Sequence, residues 1–262
     1  MVEIISTPIF IATCGRACKV NMLKYLPPSS ILFVEPRERD EYALHYPDLH
    51  LVSIGLNNQG LAYVRNFILQ YAIDHKFKHY WMLDDDIKGF YTRQLGANKV
   101  EKALMLPTLE SAEQLFLKYN LWHGSLEYQQ FAWSMGDKEI ILNSFCDNAV
   151  WFDVEKCKIL SGKYRLKLKV DRDFCMQVID CGGTTGRSTL HAFATPPDGS
   201  NDGGLKEMCY DVPGEEERNV DELIKLWPVG VVTKFVKDTG RIDAKINWKL
   251  LGSKQTIFNP FD

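Results

Sequence analysis

Tyr80-Trp81-Met82-Leu83-Asp84-Asp85-Asp86-Ile87 is the stretch that decides the fold. Four apolar residues, two of them large aromatics, read as a short buried strand, and three adjacent carboxylates close it. Like charges so close repel one another and are expensive to hold near a core. A divalent cation offsets that repulsion, and Mg²⁺ or Mn²⁺ takes carboxylate oxygens together with substrate phosphates. Alternate side chains of extended backbone share a side, so Asp84 and Asp86 are expected to address one ligand while Asp85 faces the other way. A solvated acidic turn is the plainer reading, but the aromatic strand running straight into the triplet weighs against it.

Upstream the pattern repeats. Ile9-Phe10-Ile11-Ala12 ends in Thr13-Cys14-Gly15-Arg16, Ile31-Leu32-Phe33-Val34 ends at Glu35-Pro36, and Leu49–Ile54 ends at Gly55 and an Asn-Asn-Gln-Gly turn. Continuous apolar strands of this length suit a parallel sheet covered on both faces. Leu61, Val64, Phe67, Ile68, Tyr71 and Ala72 recur at helical spacing, which predicts a helix over about 61–73. The result is a run of βαβ units in a doubly wound α/β sheet, where ligands bind beyond the carboxyl ends of the strands. Gly60-Leu-Ala-Tyr-Val-Arg65-Asn66 opens that helix. An Arg one turn in, behind a glycine entrance, reaches a phosphate or a carboxylate, although an isolated helical Arg is more often a surface residue.

Downstream the signals loosen. A helix is expected near Leu109–Lys118, strands at Glu139–Leu142 and Ala149–Phe152, a half-exposed strand over Arg165–Val170 and a helix from about Asp173 to Cys181. Residues 196–219 are rich in Pro, Gly, Asp, Asn and Glu and read as one long loop. Val170-Asp171-Arg172-Asp173-Phe174 falls between the last strand and its helix. An acid there is first of all a cap, yet it also suits a general base, and both acids stay open. His191, in an apolar strand, is a candidate late ligand of the metal site. Asn201-Asp202-Gly203-Gly204 is either a turn or a close backbone approach to a sugar.

Composition bounds the rest. A chain of 262 residues, 45% hydrophobic and 25% charged, has ample apolar mass for a core. No stretch approaches a membrane span, no leader precedes the first strand, and seven scattered cysteines read as reduced thiols, so a cytoplasmic location is expected. The net charge of −3 argues against coating nucleic acid non-specifically. Local basic stretches remain: five Lys/Arg against one Asp over 163–172, and seven against two over 225–254. A nucleotidyl transferase also uses paired aspartates, but no phosphate-cradling glycine loop followed by Lys and Ser/Thr is present.

Ile11–Arg16, Gly60–Asn66, Tyr80–Ile87, Asp171–Phe174 and Asp202-Gly203-Gly204-Leu205 together resemble the TET/JBP-associated glycosyltransferases of bacteriophages, a family of the GT-A type. The resemblance implies a single GT-A-like domain over 1–262, with a mostly parallel donor-binding half to about residue 105 and a mixed acceptor half beyond it. It implies a UDP-sugar donor and, as acceptor, the hydroxymethyl group of modified cytosine in phage DNA. Asp84 and Asp86 would hold Mn²⁺ or Mg²⁺ and the donor diphosphate, with Asp85, Gly60, Arg65 and Asn66 beside it. Thr13, Gly15, Arg16 and Glu35 would line the nucleoside pocket. Asp171 stands at the acid of the family's Glu-Asp motif, and Val170 stands where its Glu is expected, so Asp171 and Asp173 are both candidate bases. Asn201–Gly204, Lys245 and Lys249 are the candidate acceptor contacts. The same donor half would serve a lipid, glycan or protein acceptor, or a non-catalytic sugar-nucleotide-binding module.

Overall fold

In the computed structural model, which describes residues 7–19, 22–23, 26–197 and 206–253, the expected apolar runs are strands. β1 (Ile9–Ala12), β2 (Ile31–Val34), β3 (His50–Ser53) and β4 (His79–Asp84) alternate with α1 (Arg39–His45) and α2 (Leu61–Asp74). β3, β2, β1 and β4 lie side by side in that order, all parallel. The chain moves outward from β1 to β3 and returns to the far side of β1, so a crevice opens at the carboxyl ends of β1 and β4. Alternate residues feed two cores. Phe10, Tyr80 and Met82 pack with Ile68 and Leu69 of α2, while Ile11, Trp81 and Leu83 pack with Tyr42 of α1 and with Phe116. Burial on both faces is why these strands carry no polar alternation.

The remaining elements extend this sheet to ten strands. They are β5 (Gly89–Thr92), β6 (Glu101–Ala103), α3 (Met105–Lys118), β7 (His123–Tyr128), α4 (Gln129–Ala132), β8 (Ile140–Leu142), β9 (Ala149–Asp153), α5 (Val154–Cys157), α6 (Val170–Asp180) and β10 (Thr185–Ala194). β9 inserts antiparallel between β4 and β7, β10 runs parallel to β7, and β5, β6 and β8 add antiparallel pairs. After a π-helical turn at Lys206–Tyr210 come α7 (Glu215–Leu226), a separate hairpin of β11 (Val232–Val236) and β12 (Ile242–Ile246), and α8 (Trp248–Ser253). The α/β class with a mostly parallel central sheet is the one its sequence indicates.

Three expectations change. Arg165–Val170 is not a strand: Tyr164, Leu166, Leu168 and Val170 are buried and Arg165 and Lys167 exposed, but no ladder partner lies beside them. Period two here recorded burial of an extended segment without pairing. Its backbone turns left-handed at Lys169 (φ 60°) and enters α6 at Val170, three residues before the expected start. Residues 196–219 are not one loop, since the π-turn and the start of α7 fall within them. Asn201, Asp202, Gly203 and Gly204 lie outside the described residues. Among the described residues no helix is long and apolar enough to cross a membrane, and all seven cysteines are free thiols.

Candidate active site

A cleft of about 1130 Å³, open mouth included, sits at the crevice between β1 and β4. The end of β1 contributes Thr13, Cys14 and Arg16, β2 contributes Phe33 and Glu35, and Gly60 and Val64 come from the entrance of α2. Gly60 holds φ 79°, a left-handed value that a side chain would disfavour, and so lets the chain swing from the cleft floor into the helix. Burial, reinforced by Glu38 and Glu35, pushes the Cys14 thiol up to about 11, so it lines the cleft as a neutral group.

The acidic triplet divides its work. Asp85 lines the cleft but is buried and engaged: its carboxylate accepts from Thr13 Oγ1 (2.6 Å) and from Arg16 Nη1 (2.5 Å). Tyr42 pairs with the same Thr13 hydroxyl at 2.7 Å, so the β1 loop is tied to α1 as well as to Asp85. Asp86 accepts from Thr195 Oγ1 (3.1 Å) and lies 3.8 Å from Arg16. Asp84, the last residue of β4, keeps 35% of its side chain exposed, and its backbone N–H donates to Asn148 O (2.8 Å). Desolvation pushes the Asp84 carboxyl up to about 7 against the pull of Arg65, and Asp86, Asp85 and Asp147 push the same way. Two carboxylates on one cleft, crowded by further acids, are a hard oxygen donor set that fits a divalent cation.

Arg65 is not among the residues that line the cleft, which corrects its reading as a donor contact. It is 3% exposed beneath it, with Nη2 3.6 Å from Asp84 Oδ1 and Nη1 paired with Asp171 Oδ1. The guanidinium also lies over the Tyr164 ring, 5.9 Å from its centroid. It therefore joins the carboxylate at the end of β4 to the one in the first turn of α6, residues 87 positions apart in the chain. Asn66 is likewise structural: its amide clamps the Tyr164 backbone, donating to the carbonyl (2.8 Å) and accepting from the N–H (2.9 Å).

Asp173 is not available as a base. It is 1% exposed and accepts from Arg165 Nε (2.8 Å) and Nη2 (2.9 Å), Gln177 Nε2 (2.8 Å) and Trp227 Nε1 (2.8 Å). Every lone pair facing those donors is taken, so the carboxylate ties the 165–170 segment and the chain after α7 to α6. His191 is also corrected. Ser188 Oγ and Ser111 Oγ occupy its two ring nitrogens at 2.8 and 2.9 Å, and burial lowers it to about 4. It faces α3 as a neutral core histidine. Gly15 is exposed at the rim, its N–H donating to Glu38 Oε2 (2.9 Å), while Glu35 accepts from Asn58 N–H (2.7 Å) and pairs with Arg37.

The basic stretches are less bare than they read. Arg241 pairs with Glu216, Lys234 with Glu217 and Asp221, and Lys167 with Glu215, all acids of α7. Lys245 and Lys249 stay exposed. The cleft also takes residues that no local motif marked: Asn148, Thr195, Pro196, Lys206 and Tyr210. Asp147-Asn148 immediately before the apolar run Ala149–Phe152 is the one available signal, since polar residues flanking a buried strand sit at the strand's end, where the cleft opens.

A ten-stranded, mostly parallel sheet with an acidic triplet at its switch point defines a GT-A-like α/β transferase. A model of the family described as TET-Associated Glycosyltransferase matches residues 7–190, and the chain belongs to that family; it is a glycosyltransferase. Among solved structures, it is similar to glucosyl-3-phosphoglycerate synthase from Mycobacterium tuberculosis in complex with Mn²⁺, UDP and glucosyl-3-phosphoglycerate. The TM-score is 0.52 at 8% identity, covering 92% of this chain and 86% of that one. The same synthase with Mn²⁺, UDP-glucose and phosphoglyceric acid gives 0.51 at 8% identity over the same shares. At that identity the likeness concerns the fold. No curated protein matches in sequence.

Proposed function

We propose that the protein transfers a sugar from a UDP-sugar to the hydroxymethyl group of modified cytosine in DNA, with Asp84 and Asp86 holding a divalent ion, Mn²⁺ or Mg²⁺. The observation that carries the reading is Arg65. One buried guanidinium orients a donor-side carboxylate, Asp84, and an acceptor-side carboxylate, Asp171, at the same end of the sheet. Thr13, Arg16 and Glu35 line the part of the cleft beyond β1 and β2, where a nucleoside fits. The relatives in fold bind UDP and Mn²⁺, which supports the donor class. When bound, the ion neutralises charge on the departing diphosphate.

Asp171 is the base. The acceptor oxygen forms a bond to the anomeric carbon as that carbon's bond to the diphosphate breaks, and the acceptor proton passes to the Asp171 carboxylate. Arg65, paired with that carboxylate, aims it. An extruded cytosine would be held by stacking on aromatic side chains of the second half. The test mixes the protein with a panel of nucleotide sugars and DNA containing 5-hydroxymethylcytosine, then measures nucleoside masses. A hexose or pentose increment on hydroxymethylcytosine, lost without divalent ion, is expected. Sugar appearing only on lipid, glycan or protein acceptors offered in parallel overturns the DNA reading.

A further inference from the structure

Asp243, on β12, is buried and serves three cations at once. Lys169 Nζ, Arg172 Nη1 and Lys237 Nζ each lie 2.8 Å from its carboxylate, and its own next residue donates a backbone N–H at 2.8 Å. One negative charge thus faces three positive ones, and among the described residues no second acid pairs with any of the three. Two of the hairpin's other cations are balanced, Lys234 by two acids and Arg241 by Glu216, while Lys245 is exposed.

Lys169 concentrates the imbalance. Its side chain is 9% exposed, its backbone sits at φ 60°, and burial together with Arg172 and Lys237 lowers its hold on its proton. A buried, like-charged lysine in the left-handed region is costly on each count, and such costs gather where a function uses them. The cluster adjoins the chemistry. Arg172 follows Asp171 in α6, and its guanidinium lies 5.9 Å from the centroid of the half-buried Phe145 ring, which Arg187 approaches to 4.3 Å. Phe145 belongs to the loop that delivers Asn148 to the cleft wall.

We infer that Lys169, Arg172 and Lys237 form a phosphodiester seat beside the acceptor nucleotide, Asp243 holding the three cations in place until a DNA phosphate supplies the missing negative charge. The inference rests on the DNA-acceptor reading above and adds where the strand is gripped. A phosphate there anchors the backbone next to the extruded base, so the hydroxymethyl group arrives near Asp171. The donor diphosphate has its own place at the acidic triplet, so the seat serves the acceptor.

Lys237→Ala is the informative variant, because Asp243 retains two cations and the side chain is 35% exposed, so folding is preserved. Binding of a single-stranded oligonucleotide carrying one 5-hydroxymethylcytosine is measured across a salt series, with sugar transfer assayed beside it. The slope of log affinity against log salt is expected to shrink by about 0.7, one contact's worth on a single strand. The acceptor KM should rise several-fold on the oligonucleotide and stay level on the free nucleoside, which has no phosphate. Lys237→Arg should restore the slope, and Lys234→Ala, whose lysine already faces two acids, should leave it alone. A Lys237→Ala protein with the wild-type slope and KM overturns the seat, as does a rise in donor KM, which would give the cluster to the donor diphosphate. A wild type that neither binds nor modifies the oligonucleotide overturns the acceptor reading and the seat together.

Discussion

At the scale of single residues, the three aspartates that look alike in sequence have three environments. Asp84 faces the cleft, Asp85 is consumed by Thr13 and Arg16, and Asp86 hangs from Thr195. Asp84→Asn or Asp86→Asn should lower turnover by roughly 10³-fold, equivalent to about 4 kcal/mol of barrier, and leave the melting temperature nearly unchanged. Wild-type rates from either variant in saturating Mn²⁺ would remove the metal assignment. The raised Asp84 carboxyl has a pH consequence. An unfolded aspartate loses its proton near pH 4 and the folded one near 7. Between those values the metal-free folded protein binds the extra proton, so its stability falls as pH rises through 7. A divalent ion competes with that proton, so Mn²⁺ should raise Tm more at pH 8 than at pH 6. Equal shifts at both, measured against EDTA, count against Asp84 as ligand. Asp171 and Asp173 separate just as clearly. Asp171→Asn should remove transfer with the fold intact. Asp173→Ala strips a buried carboxylate from Arg165, Gln177 and Trp227 and should cost about 3 kcal/mol, or roughly 10 °C in Tm. Differential scanning calorimetry beside an activity assay distinguishes the two.

At the scale of elements, periodicity was read well wherever both faces of an element are covered by the same core. The helix expected over 61–73 is Leu61–Asp74, and the strand expected over 31–34 has those bounds. It misled at Arg165–Val170, where alternating burial came without a partner strand, because period two reports which side is dry and says nothing of hydrogen bonding. It also stayed silent on how closely elements approach. Gly124 of β7 lies under α3, and a Cβ built there would meet the Phe116 ring at 2.7 Å. Gly124→Ala should therefore push α3 from the sheet and cost about 1–3 kcal/mol, read as a lower midpoint in urea. A midpoint matching wild type would mean that Phe116 turns aside freely.

At the scale of the whole molecule, donor and ion should act together. A UDP-sugar with Mn²⁺ should raise Tm, and the same donor in EDTA should raise it far less, since the ion bridges carboxylates and diphosphate. Equal stabilisation in EDTA would leave the phosphate to Arg16. Charge reversal at Lys245 and Lys249, both exposed on the hairpin side, should weaken DNA binding and reduce its salt slope by up to about 1.8 on duplex. An unchanged slope would confine the grip on DNA to the Asp243 cluster. The sequence by itself determined the parallel sheet, the helix behind Gly60, the acidic triplet at a strand end and the Asp171–Asp173 region, because each is a local pattern of polarity and period. It also carried the family resemblance, which the family match bears out. Only the tertiary structure decided that Arg65 lies between Asp84 and Asp171, that Asp173 and Asn66 brace the scaffold, that His191 belongs to two serines, and that Lys234 and Arg241 of the basic hairpin are neutralised by α7. The physical reason is common to all of them. Whether a charged or polar side chain is free for chemistry depends on which partners reach it across space, and those partners come from elements tens of residues away, which a sequence window does not hold together.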